Sequence, residues 1–196
     1  MRVTCLQTAR DSVGPIGHGA DIFILARGEY NFSDLIVHAA EEAGIAAITV
    51  WTWAIAHWDI EYLRSQPSIF RGLLIASAQN RTLANARAGS SYYAWREAFG
   101  PDSVRFTVSH AKMALVRSAT RRILIRGSAN ANKNQRAEQY DITEGGADYE
   151  LVERMVGEFE ERDEAATLAD ISRACKLGAA PAESDGAFVG CSRWSL

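Results

Sequence analysis

The chain has 196 residues, of which 47% are hydrophobic and 23% charged. That is the composition of an ordinary globular domain, long enough to bury a core without staples. No run of about 18 apolar residues is present, which argues against a membrane-spanning helix. The opening MRVTCLQTARDS has no apolar region of the kind that directs export, so a cytoplasmic setting is the expectation. Cys5, Cys175 and Cys191 are widely spaced and form no CxxC pair; neither a zinc site nor a disulfide framework is implied.

The net charge of −3 is unevenly spread. Residues 1–136 hold 16 Lys and Arg against 10 Asp and Glu, and residues 137–196 hold 5 against 14. A basic front with an acidic tail reads either as an anion-binding face or as a chain that ends in a solvated acidic helix.

In chain order, residues 3–7 read as a first strand. Gly14–Phe23 (GPIGHGADIF) reads as a loop, since its glycines lack the order and strand-to-helix setting of a dinucleotide site. Ile22–Arg27 is a buried strand. Ser33 is the predicted cap of a helix whose stripe is Leu35, Ile36, Ala39, Ala40 and Ala43, stopped by Gly44. Ala46–Ile55 is β-branched and aromatic-rich, a strand. A short helix over His57–Gln66 stops before Pro67, and Gly72–Ala78 is another strand. Ser90–Phe99 is a helix closed by Gly100 and Pro101. Val104–Val108, Met113–Arg117 and Arg122–Arg126 are three strands in close succession. Asp148–Ala166 is an amphipathic helix with Leu151, Val152, Met155, Val156 and Phe159 on one side. Residues 177–196 read as a loosely ordered tail behind a single domain over 1–176. The pattern is α/β: a mixed, mostly parallel sheet flanked by helices. No internal repeat is visible.

The chemistry concentrates in Ser109–Tyr140. His110 and Lys112 stand two apart, the spacing that puts two side chains on one face of a strand. A hairpin of apolar strands, Met113–Arg117 and Arg122–Arg126, returns the chain to that end with Gly127, Ser128 and Asn130. A neutral imidazole is a nucleophile, and an ammonium, a hydroxyl and an amide are donors. Donors grouped around one nucleophile suit the charge of a phosphoryl transition state. Gly127 would let backbone and substrate approach closely. Nothing here requires a metal or another cofactor.

The run His110-x-Lys112 followed by Gly127-Ser128-x-Asn130 resembles the HxK…GSxN signature of the phospholipase D superfamily, and RGSANANKNQRAEQ is similar to the single-motif domains of that superfamily found in bacteria and phages. The resemblance implies that His110 attacks phosphorus and forms a phosphohistidine. It implies that Lys112 and Asn130 bind phosphate oxygens, that Ser128 orients the site, and that Glu138 hydrogen-bonds the nucleophile and sets its tautomer. It further implies metal-independent phosphodiester hydrolysis. The family mechanism uses two His/Lys sets, and this chain has one. A homodimer with the motif at its two-fold axis is therefore expected, as in the small bacterial endonucleases of the superfamily. One departure is plain: the Asp usual five residues after the Lys is Arg117 here, on a hairpin longer than usual. That departure keeps alive a catalytically silent phosphate-binding module.

Around the motif, Arg117, Arg121, Arg122, Arg126, Lys133 and Arg136 are six cations within 20 residues. Arg121, Arg122 and Lys133, with His57 at the end of a strand, are the candidate substrate contacts. Nucleic acid is the first choice of partner and a phospholipid headgroup the second. Tyr92, Tyr93 and Trp95, near Arg81, Arg87 and Arg96, offer possible base-stacking surfaces. Trp51 and Trp53 read as core packing, and His18 and His38 as structural.

Overall fold

A computed structural model describes residues 8–77, 86–107, 109–132 and 136–160. The elements are α1 (Ala9–Val13), β1 (Asp21–Ala26), α2 (Phe32–Ala43), β2 (Ala46–Thr52), α3 (His57–Ser65), β3 (Ile69–Ser77), α4 (Ala86–Phe99), β4 (Val104–Thr107), β5 (Met113–Arg117), β6 (Arg122–Gly127), β7 (Glu138–Glu144) and α5 (Gly146–Glu160). The strand predicted over 3–7 and the boundary predicted at residue 176 lie outside the described residues.

The strands form one sheet in the order β1-β7-β6-β5-β2-β3-β4. β2, β3 and β4 are parallel, joined by helical crossovers; β2–β5, β5–β6, β6–β7 and β7–β1 are antiparallel. The mixed sheet expected from the sequence is therefore present, and five of its seven strands point the same way. Side chains alternate across it. Trp51, Leu73, Ile75, Leu115 and Leu124 face α5, where they meet Tyr149, Val152 and Val156. The residues between them face the other way. There Tyr140 stacks on Phe32 of α2, with ring centroids 6.0 Å apart, and Gly72 lies against the rings of Trp95 and Phe99 in α4. Helices thus cover both faces, as an α/β sheet with parallel crossovers requires.

Several expectations change in detail, the first being that β1, read as buried, is an edge strand with Phe23 and Leu25 exposed. The cap of α2 is Asn31 rather than Ser33: the Asp34 carboxylate accepts from the Asn31 amide at 2.7 Å, and the Ser33 hydroxyl donates instead to Asp59 of α3. Asp59 is fully buried, and burial pushes its carboxyl up to about 7. β2 ends at Thr52, three residues early, because the chain bends at Trp53. β7 has no counterpart in the sequence reading. Its strand, EQYDITE, has Tyr140 and Ile142 as its buried residues and polar side chains between them, so too little apolar sequence marked it.

Candidate active site

His110 and Lys112 lie in the four residues leading into β5, at the end of the sheet where β2 and β6 finish. Ala111 and Met113 pack toward the α5 core, so Lys112 is turned to the other face. The Lys112 ammonium lies 2.6 Å from His110 Nδ1 and 3.1 Å from Nε2, and it donates to the His110 carbonyl at 2.7 Å. His110 is exposed, while Lys112 is only 7% exposed. Burial holds the lysine below its ordinary pKa of 10.5, and the nearby Glu138 carboxylate opposes that shift.

The hairpin closes the site as the register dictates. Met113 pairs with Arg126, and the Gly127 amide donates to the Lys112 carbonyl at 2.9 Å. This places Ser128 beside β7. Its hydroxyl donates to Glu138 and accepts from the Gln139 amide at 3.0 Å. Glu138 thus accepts from Ser128, and its charge reaches Lys112.

Asn130 is fixed from a third direction. The next residue, Ala131, forms a parallel bridge with Ile55. Its amide donates to Thr52 Oγ1 at 3.2 Å, and its carbonyl accepts from the Ala56 amide at 3.0 Å. The Oδ1 of Asn130 is buried without a hydrogen-bond partner among the described residues. Lone pairs in that state are costly. His57, the first residue of α3, follows Ala56 directly and is exposed. So the end of β2 brings His57 to the Asn130 side.

The remaining candidates divide. Lys133 lies outside the described residues. Arg121 is corrected from substrate contact to structural tie. It is 6% exposed, and its guanidinium binds Glu144 at 2.6 Å, the Gly17 carbonyl at 2.9 Å and the Glu42 carbonyl at 3.3 Å. Arg122 is exposed and pairs with Arg117 at the turn end of β5–β6, seven residues of extended chain (roughly 23 Å) from His110. Gly127 has a packing reason, since a Cβ there would lie 2.5 Å from a ring carbon of Tyr140. Two other cations are engaged by α5, Arg126 with Asp148 at 2.7 Å and Arg117 with Glu153 at 3.3 Å. The acidic tail in part neutralises the basic hairpin.

Among the aromatics, Trp51 is core, and so are Tyr92 and Trp95, both read as possible stacking surfaces; Tyr93 is 72% exposed. Trp53 is not core. It is half-buried, and its ring centroid lies 5.0 Å from that of His110, tilted by 59°. No sequence signal marks this, since Trp53 falls inside the strand predicted over Ala46–Ile55. His38 is buried and bonded to the Gly14 carbonyl, and His18 is exposed near Glu144. A cavity of about 220 Å³ under α5, lined by Thr49, Leu73, Leu115, Tyr149 and Glu153 among others, has no motif residue in its wall.

No family model matches the chain, and no curated protein matches it. Solved structures do. Nuc from Salmonella typhimurium, described as a phospholipase D family member, is 13% identical; the match covers 73% of this chain and 94% of that one, with a TM-score of 0.52. The chain has the phospholipase D fold. NucT from Helicobacter pylori matches this phospholipase D-like chain at 15% identity over 72% of it and 96% of NucT, with a TM-score of 0.53. Polyphosphate kinase from Porphyromonas gingivalis matches at 15% identity and a TM-score of 0.50, over 81% of this chain and 32% of the kinase. Within this phospholipase D fold, the elements that hold His110, Lys112, Ser128 and Asn130 all converge on one end of the sheet. No helix among the described residues is long and apolar enough to cross a membrane.

Proposed function

We propose that the chain is a phosphodiesterase of the phospholipase D superfamily, acting on nucleic acid through a covalent phosphohistidine. The observation that carries this reading is the ammonium of Lys112 against the His110 ring, 2.6 Å from Nδ1, on a hairpin whose return strand delivers Ser128 and Asn130. A ring nitrogen of His110 forms a bond to phosphorus as the bond from phosphorus to the leaving oxygen breaks. That oxygen takes a proton from an acid. Water then attacks phosphorus, the N–P bond breaks, and His110 is restored with a phosphomonoester released. Lys112 and the Asn130 amide neutralise the equatorial oxygens, and the donors, rather than a metal, supply the charge stabilisation. Without substrate Lys112 rests on the nucleophile, so the incoming phosphate draws it off the ring.

The acid needs a second imidazole. Of the chain's four histidines, His38 is buried in a hydrogen bond and His18 sits with Glu144. That leaves His110 of a second copy, across a two-fold axis, or His57. The homodimer is the reading preferred here, because one chain carries one motif.

Nucleic acid is favoured over a phospholipid headgroup by the excess of cations over acids in residues 1–136. Ion pairs already occupy Arg117, Arg121 and Arg126, so the salt dependence of binding will be modest. The test is incubation of wild type and His110→Asn with labelled DNA, RNA and phosphatidylcholine in EDTA. Nucleic acid should be cleaved, with turnover reduced by roughly 10³-fold or more in the variant. Cleavage that requires restored magnesium would point to metal-assisted chemistry, cleavage of lipid alone to the headgroup reading, and binding without cleavage to a silent module.

A further inference from the structure

An exposed imidazole is a poor nucleophile unless something sets its rotation, because the imidazole torsion is broad and the reacting atoms must align at about 3–3.5 Å. The backbone gives His110 little help. It lies ahead of β5, outside the ladder, and the local ties are Ser109 Oγ accepting from the Ala111 amide and Lys112 donating to the His110 carbonyl. Two side chains are described against the ring itself: Lys112 and Trp53. Lys112 cannot be the lasting brace, since in the reaction proposed above it must transfer to the phosphate. The group left against the ring is then Trp53.

Trp53 is itself held. It sits in the bend between β2 and α3, flanked by Thr52 and Ala54. Thr52 Oγ1 donates to the Ala54 carbonyl at 2.9 Å and accepts from the Ala131 amide at 3.2 Å, while the Ala56 amide closes on the Ala131 carbonyl at 3.0 Å. The bend that carries the indole is therefore stapled to the segment that carries Asn130. Edge-to-face and tilted ring contacts of this kind hold a preferred geometry.

We propose that Trp53 is a positioning residue for the reaction at His110: its indole braces the imidazole while Lys112 moves from the ring to the phosphate. This rests on the phosphodiesterase reading given above and adds a residue to it. Through the shared bend, the brace also ties the direction of attack to the placement of Asn130, so nucleophile and oxygen donor are set together.

The experiment compares wild type, Trp53→Phe and Trp53→Ala on bis(p-nitrophenyl) phosphate and on a single-stranded DNA oligonucleotide, with thermal unfolding in parallel. Trp53→Ala should lose roughly tenfold to a hundredfold in kcat with KM changed by no more than about twofold. Trp53→Phe, which keeps a ring against His110, should recover most of the loss. A rise in KM at constant kcat on the oligonucleotide would make Trp53 a base-stacking surface and overturn the proposal. A second readout needs no turnover: acylation by diethyl pyrocarbonate, mapped residue by residue. Trp53→Ala should speed labelling of His110 and leave His57 at its wild-type rate. Unchanged labelling of His110 overturns the brace, and faster labelling of both histidines with a lowered Tm reduces Trp53 to a structural residue. If wild type cleaves neither substrate, nor RNA or phosphatidylcholine, the phosphodiesterase reading fails, and the labelling experiment still decides whether Trp53 braces His110.

Discussion

The two ends of the β5–β6 hairpin compensate their buried cations, Arg121 and Lys112, differently. At the turn end, described cations meet carboxylates: Arg121 meets Glu144 with both side chains buried to 10% exposure or less, and Arg117 meets Glu153 of α5. At the motif end, Lys112 is buried beside an imidazole, and the Glu138 carboxylate is shared with the Ser128 hydroxyl. Charge that is fully compensated stabilises a fold and is spent there. Charge that is only part compensated, as on Lys112 beside a neutral ring, is what an anionic ligand can complete. Proximity in sequence misleads here: Arg121 and Arg122 are nine and ten residues from Lys112 and belong to the other end of the strands.

Substitutions that exchange the roles of the two ends should expose this contrast. The largest effect is expected at Lys112. Lys112→Ala should lower kcat/KM by roughly 10³-fold or more, because phosphate charge is left uncompensated. The wild-type rate should also fall on the alkaline side at a pH below the ordinary lysine value of 10.5, since burial lowers the Lys112 pKa and the neutral amine no longer offsets the phosphate. Lys112→Arg, which does not titrate in that range, should lose that alkaline limb in whatever activity it retains. An alkaline limb unchanged in Lys112→Arg would assign the titration to another group.

Arg121→Ala comes next and should act on stability. Removing one partner of a buried pair leaves Glu144 uncompensated, at a cost of about 3 kcal/mol, read by denaturant unfolding. The hydrogen bond from Arg121 holds Glu144 below its ordinary 4.5. The group therefore contributes stability above that value and loses it as the pH falls through its lowered pKa. The gap between wild type and variant should narrow in acid. A gap that stays constant down to that range would show that the pair contributes little.

Gly127→Ala should cost about 1–3 kcal/mol by forcing the Tyr140 ring off its place, a loss that Tyr140→Leu in the same chain should partly relieve. The smallest effect is expected at Arg122→Glu. DNA affinity should change by less than about threefold with an unaltered slope against salt; a large loss would return the turn end to the binding surface.

The parts of the site legible in the sequence were local. His110 and Lys112 are separated by one residue, and the apolar strands that fold Gly127, Ser128 and Asn130 back onto them are contiguous. The roles that escaped depend on distant segments. Arg121 is explained by Gly17, Glu42 and Glu144, carried on three other parts of the chain, and no periodicity encodes such a meeting. Trp53 sits where an alternating pattern would continue β2, yet the chain bends there, and the ring meets His110 instead of the core. β7 was missed because its polar positions dilute the apolar alternation, although Tyr140 and Ile142 were its buried residues all along.

The bond from Ala131 to Thr52 joins residues 79 apart in the chain, and it sets a timetable. The β5–β6 hairpin closes on its own neighbours and forms early, while pairings across long separations are slow because their loop entropy must be overcome first. The last piece of the motif end to lock is then the Asn130 segment, after β2 has docked. During refolding, most of the ellipticity and tryptophan burial should return before the Asn130 segment locks, and a nascent chain would hold its His110 and Lys112 side by side well before that.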